Sequence, residues 1–114
     1  MPHDRQKKAL FTAVSCLRSA QELLMQVSRD STDPLMLAKI NNEYTQLDSF
    51  LSQILHCLAL ADDKVFADNT AALKEQAGTL KAEEDHFKAI GAGVNTAAQI
   101  AGLVAEALGC VAKV

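Results

Sequence analysis

The stretch that decides the fold is "PLMLAKINNEYTQLDSFLSQILHCLALA", residues 34–61. Its apolar and aromatic side chains recur at alternating steps of three and four residues, which places them along one side of an α-helix. These positions are Leu37, Ile40, Tyr44, Leu47, Leu51, Ile54, Leu58 and Ala61. Asp33 and Pro34 mark the helix start, because Asp is a good N-cap and proline needs no amide donor in the first turn. The stretch therefore predicts a long amphipathic helix.

A similar stripe precedes it and predicts a helix over residues 4–28. Its members are Leu10, Ala13, Leu17, Ala20, Leu24 and Val27. Phe11 and Val14 widen this stripe, so we expect the helix to face a bundle core rather than a narrow two-stranded seam. The linker between the two predicted helices has about six residues. A linker of that length predicts an antiparallel helical hairpin.

The stretch "ADDKVFADNT", residues 61–70, fits either a tight turn or a bent helix. A further seven-residue series starts within this stretch and continues almost to the end of the sequence. It consists of Phe66, Leu73, Leu80, Phe87, Val94, Ala101 and Leu108. Its unbroken phase allows one long helix over residues 64–112. Two helices are favoured instead, because Gly91 and Gly93 would together cost about 2 kcal/mol inside a helix. Thr96 and Gln99 also resemble a capping box that starts a new helix.

The predicted fold class is all-α, with a long antiparallel helical hairpin plus one or two further helices. This describes an up-and-down helical bundle or a coiled-coil-like rod. We expect a single helical domain over residues 1–114, because the length is typical of one domain. Its helices are predicted over residues 4–28, 34–60, 64–90 and 96–113.

Charge and cysteine content exclude several classes of protein. The net charge of −3 and the pI near 5.5 argue against nucleic-acid binding, which requires a basic surface. Three cysteines without a CxxC spacing indicate a reducing compartment. The apolar run after "MPHDRQKK" is short and broken by Thr12 and Ser15, unlike a signal peptide. We therefore expect a cytoplasmic location.

No pattern of catalytic or metal-ligating residues emerges. Glu83 and His86 have the Glu-x-x-His spacing of carboxylate-bridged metal sites, but such a site needs a second copy of the motif. The only comparable pair is Gln53 and His56, in which glutamine replaces the ligand. Cys57 adjoins His56, but neighbouring helical residues point about 100° apart. We expect no metal, no cofactor and no enzymatic activity.

The apolar stretch 94–114 is long enough to span a bilayer. Glu106 and Gln99 would then lie in lipid, at a cost of about 2.5–3.5 kcal/mol for the carboxylate. Burial against protein accounts for the same pattern. A ridge of small residues at four-residue spacing would let another helix approach closely. It consists of Gly93, Ala97, Ala101, Ala105 and Gly109.

The predicted function is a non-enzymatic protein–protein interaction module, such as a small adaptor, a secretion chaperone, or an immunity or antitoxin-type protein that masks a partner. We expect the ridge to mediate self-association into a homo-oligomer or contact with the partner. An acidic surface would steer a basic partner surface towards it. Its residues are Asp62, Asp63, Asp68, Glu75, Glu83, Glu84 and Asp85. The alternative is a membrane-active or secreted protein that inserts its C-terminal apolar helix.

Overall fold

The structure, a computed structural model, describes residues 4–82 and 94–114. Four α-helices account for nearly all of these residues. They are α1 (Asp4–Asp30), α2 (Pro34–Ala59), α3 (Asp63–Ala82) and α4 (Val94–Ala112). Each begins within two residues of its predicted start. The all-α fold class is confirmed.

Helix α1 buries the predicted stripe. Leu10, Ala13, Leu17, Ala20 and Leu24 are completely inaccessible to solvent. The expected widening holds on one flank only, because Val14 is buried whereas Phe11 is 62% exposed. Phe11 was expected to face the core, and this expectation is wrong. Successive side chains point about 100° apart around a helix. Phe11 follows the buried Leu10 and therefore lies on the outer surface.

The α1–α2 connection consists of residues 31–33 and is shorter than the predicted linker, because α1 continues to Asp30. Asp33 caps α2 as predicted: its backbone is extended (φ −82°, ψ 115°), and its side chain accepts a hydrogen bond from the Leu35 amide at 3.0 Å. Pro34 occupies the first turn. The cap satisfies an amide that would otherwise lack a helical partner.

The buried face of α2 is rotated slightly from the predicted stripe. Ile40, Leu47, Leu51 and Ile54 are buried as expected. Between them, however, the deeply buried positions are Glu43, Phe50 and Cys57, whereas Tyr44 and Leu58 are only half-buried. The predicted eighth member, Ala61, is exposed beyond the end of the helix. This rotation follows from packing against two neighbouring helices, α1 and α3, on opposite flanks.

The chain turns tightly between α2 and α3. The Leu60 amide donates to the Cys57 carbonyl at 3.2 Å and closes α2. Asp62 then accepts a hydrogen bond from the Val65 amide at 3.0 Å and starts α3. Helix α3 buries Phe66, Thr70, Leu73, Ala77 and Leu80. The small residues Thr70 and Ala77 thus complete the stripe between the three predicted members of the seven-residue series.

Helix α4 begins at Val94. Thr96 therefore lies in its first turn and is not the N-cap that was predicted. Helices α3 and α4 pack side by side, and Lys74 and Lys81 share a groove with Ala105 and Ala112. A single helix cannot pack along its own length, so the interpretation of residues 64–112 as one helix is wrong.

The helices form a four-membered antiparallel bundle that measures 48 × 22 × 21 Å. Helix α1 packs against α2 and α4, and α3 packs against the same two helices on the opposite side. Lys7, near the start of α1, donates to the Leu60 carbonyl after α2 at 2.9 Å, which shows that these helices run in opposite directions. The core lies between all four helices, and the contact between α1 and α4 is the most extensive.

Candidate partner-binding surface

The ridge of small residues does not lie on one face of α4. Ala97 and Ala101 are 6% and 5% exposed and belong to the bundle core, whereas Ala105 and Gly109 are exposed. Gly93 lies outside the described residues. Each four-residue step advances a helix by about 400°, so successive members rotate by about 40° around it. The ridge therefore winds from the core to the surface, and only its last two described members are accessible.

Those two residues belong to a larger exposed strip of α4 that contains no bulky side chain. The strip consists of Ala98, Gly102, Ala105, Gly109 and Ala112. Beyond the adjoining turns of its own helix, a methyl group built on Gly102 or Gly109 would meet no atom of the described residues within 4 Å. Packing among the described residues therefore does not require glycine at either position. We call these five residues the small strip.

A groove runs along each side of the small strip, and Gly109 lines both. The groove towards α3 has a volume of about 470 Å³, with Ala77 and Leu108 buried at its floor and Lys74 and Lys81 on its α3 side. The groove towards α1 has a volume of about 560 Å³. Its polar lining consists of Arg5, Lys8, Thr12, Glu106, Cys110 and Lys113. A helix laid on the strip could project side chains into both grooves.

The charge along these grooves differs from that of the whole chain. Lys74 and Lys81 on one side and Arg5, Lys8 and Lys113 on the other make five basic residues against one acidic residue, Glu106. The complete sequence has a net charge of −3. This basic surface is not visible in the sequence pattern, because its members come from α1, from α3 and from the residue that follows α4.

The predicted acidic surface is only partly described. Asp62, Asp63, Asp68 and Glu75 are exposed at α3, whereas Glu83, Glu84 and Asp85 lie outside the described residues. Asp62 has a structural role as the cap of α3. Glu75 follows Lys74 by one residue and therefore points about 100° away from it. The side of α3 that carries Asp68 and Glu75 is thus distinct from its lysine-bearing side.

The cysteines are free thiols in packed surroundings. Cys16 and Cys57 are buried, and Cys110 is half-buried. Burial raises the pKa of the Cys16 thiol, and the nearby Glu106 carboxylate and Cys110 thiol raise it further. Burial also raises the pKa of Cys57. Since the thiolate is the nucleophilic form, these shifts make both thiols less reactive. Sequence spacing did not reveal the proximity of Cys16, Glu106 and Cys110, because they come from two helices.

The core contains one carboxylate that sequence analysis missed. Glu43 is 1% exposed and lies on the buried face of α2 between Ile40 and Leu47. On α1, Gln21 is also buried, and its Nε2 donates to Asp48 Oδ1 on α2 at 3.4 Å. The three-four spacing is compatible with Glu43 on the core side, but a carboxylate is rarely buried. The neighbouring Tyr44 was therefore predicted to be buried instead.

Within residues 4–82 and 94–114, no three His, Cys, Asp or Glu side chains are placed to hold a metal ion. The predicted half-motif, Glu83 and His86, lies outside those residues. The side chain of His56 is exposed on α2. In the same part of the chain, no helix combines the length and the apolar character that crossing a membrane requires.

Comparisons of the sequence with protein families and with curated proteins found no match, and the search of solved structures likewise found none.

Proposed function

We propose that the chain is a non-enzymatic helical protein-binding module that contacts its partner through the small strip of α4. An adaptor, a secretion chaperone and an immunity or antitoxin-type protein would all use such a contact. The basis of the proposal is an exposed helical surface of small residues that lets another helix approach closely.

The observation that carries this proposal is the presence of glycine at exposed helical positions. Gly78, Gly102 and Gly109 all lie within helices, and a methyl group at any of them would meet nothing within 4 Å. Each costs about 1 kcal/mol of helix stability relative to alanine. The packing of the described chain gains nothing in return. Close approach of another helix backbone is a benefit that would offset this cost.

Site-specific photo-crosslinking in the native host tests the proposal. Benzoylphenylalanine placed at Ala105 is expected to yield a discrete protein adduct, because Ala105 lies at the centre of the small strip. The matched control carries the same group at Ala38, which is also exposed but lies on α2. An adduct specific to Ala105 supports the proposal. Absence of an adduct, or identical adducts from both positions, contradicts it.

A second copy of the chain is the alternative to a foreign partner, because the sequence pattern predicts a homo-oligomer. Sedimentation equilibrium of the purified chain and of an Ala105→Leu variant tests it. Ala105 suits this purpose better than Ala101, because a leucine at the buried Ala101 would overpack the core. A dimer mass that Ala105→Leu reduces to the monomer mass supports self-association. A monomer mass for both proteins contradicts it and leaves a foreign partner.

The acidic side of α3 has a proposed role in steering. Asp68 and Glu75 are exposed one heptad apart, and their charges would accelerate encounter with a basic area of the partner. Reversing both residues to lysine is expected to lower the association rate at low salt, with a smaller effect at high salt. An unchanged association rate at low salt argues against steering by this surface.

A further inference from the structure

We propose that the groove between α3 and α4 binds an amphipathic helix of a different protein, with acidic side chains flanking its apolar face. This inference rests on the proposed function and names the chemical class of the partner segment. It follows from the shape of the groove, the charges along it and the symmetry that self-association would impose.

The groove has an apolar floor and low walls. Ala77 and Leu108 lie buried at its base, and Gly78, Ala105 and Gly109 form its sides. Because Gly78, Ala105 and Gly109 have at most a methyl group, a helix that lies over them, beside the two lysines, can approach at the short end of the 8–10 Å range of interaxial distances. The volume of about 470 Å³ accommodates apolar side chains projecting from such a helix.

The charges select an acidic partner. Lys74 and Lys81 are seven residues apart, or about 10.5 Å along α3. Neither forms an ion pair or a hydrogen bond with any other residue in the described part of the chain. Across the small strip, Arg5, Lys8 and Lys113 outnumber Glu106, the one carboxylate that lines the second groove. A docked helix would have positive charge on both sides, and carboxylates one heptad apart would match the two lysines.

The same charges disfavour a second copy of this chain as the occupant. Most homodimers are two-fold symmetric and place the same surface patch of each copy against the other. In such a contact the five basic residues of one copy would face the same five of its partner. Like charges at an interface impose a cost on the complex. The surface therefore favours a foreign helix.

Selection from a displayed library of helical peptides tests the proposal. The peptides have about 20 residues, long enough to be helical, with an Ala/Leu face and flanking positions that vary among Glu, Gln and Lys. The immobilised full chain is expected to enrich peptides with Glu at the flanking positions. Enrichment of neutral or basic flanks, or no enrichment, would overturn the proposal.

Charge reversal then locates the binding site. Lys74→Glu combined with Lys81→Glu is expected to weaken binding of a selected peptide by about tenfold or more, since two attractive pairs become repulsive. The matched control combines Lys39→Glu with Lys64→Glu, which changes the net charge equally at exposed positions outside the groove. Equal losses in both variants would overturn the assignment to the groove.

Two further outcomes are decisive. If phosphatidylserine vesicles bind the chain through Lys74 and Lys81 while selected peptides do not, the groove serves a lipid surface and the proposal is wrong. Photo-crosslinking from Ala105 does not depend on the charge of the partner. An adduct from Ala105 without enrichment of acidic peptides would therefore overturn the present inference but support the proposed function.

Discussion

Replacing the three exposed helical glycines with alanine is expected to stabilise the folded chain. Gly78, Gly102 and Gly109 each have open space where the new methyl group would lie. Each substitution removes the conformational freedom of glycine from the unfolded state, and the expected gain is about 0.5–1 kcal/mol. Because no added methyl group meets a neighbouring atom, the triple variant should gain about 2 kcal/mol in its free energy of unfolding.

The measurement is urea unfolding followed by circular dichroism at a concentration where the chain is monomeric. A gain of about 2 kcal/mol corresponds to a rise in melting temperature of roughly 8 °C for a domain of this size. Ala98→Gly provides the matched control on the exposed side of α4. It should lower the free energy of unfolding by about 1 kcal/mol.

The result that refutes this reasoning is a triple variant no more stable than the parent chain. It would mean that the glycines already have close neighbours in solution or that these helix positions are frayed. If the variant is stabilised, the photo-crosslink from Ala105 should become weaker, because Gly109→Ala moves a partner helix outwards. Stabilisation with an unchanged crosslink would remove glycine as the support for the proposed contact.

Three further changes test the core, a cap and the buried thiols. Leu17→Ala should lower the free energy of unfolding by about 3 kcal/mol, because the Leu17 side chain is fully buried. Leu55→Ala should lower it by less than about 1 kcal/mol, because the Leu55 side chain is 40% exposed. Similar losses for the two variants in urea unfolding would contradict the assigned core. Asp33→Ala should lower the free energy of unfolding by about 1 kcal/mol, measured by urea unfolding. An unchanged free energy of unfolding would mean that the cap is dispensable. Because burial raises the pKa of Cys16 and Cys57 above 9.0, the unfolded state ionises first. The contribution of these thiols to the free energy of unfolding should be complete below pH 9.0 and decline above it. Replacing both cysteines with alanine should reduce that decline. If the free energy of unfolding of the double variant has the same pH dependence as that of the parent chain, the linkage is refuted.

The hairpin was predictable because its signals are local. Asp33 and Pro34 mark the start of α2 within two adjacent residues, and Leu10, Leu17 and Leu24 repeat every seven residues along α1. Both features depend only on the helical period and on the chemistry of a cap. They consequently led to nearly correct helix bounds for the first half of the chain.

The rotation of α2 was not predictable from its own sequence. Tyr44 and Leu58 fit a three-four stripe at least as well as Glu43 and Cys57 do. The positions of α1 and α3 decide which set is buried, and the sequence of one helix contains no information about where its neighbours lie. For the same reason, Phe11 looked like a core residue although it lies on the solvent side.

The candidate surface was predicted in part. Ala105 and Gly109 were identified from their four-residue spacing, and both are exposed. The same spacing also selected Ala97 and Ala101, which pack in the core, because a four-residue row winds around a helix. Lys74 and Lys81 could not be assigned to the surface, since that required knowing that α3 lies beside α4.

The extensive packing of α1 against α4 has a consequence for synthesis of the chain. Ribosomes release the N-terminal part first, so α1 and α2 can form their hairpin while the face of α1 that α4 will cover is still open to solvent. Cys16, which lies beside Glu106 and Cys110 in the folded chain, then lacks these neighbours until α4 has been made. Chaperones would therefore bind the exposed apolar face of α1 in the nascent hairpin. Chains truncated before α4 should aggregate rather than fold as smaller bundles.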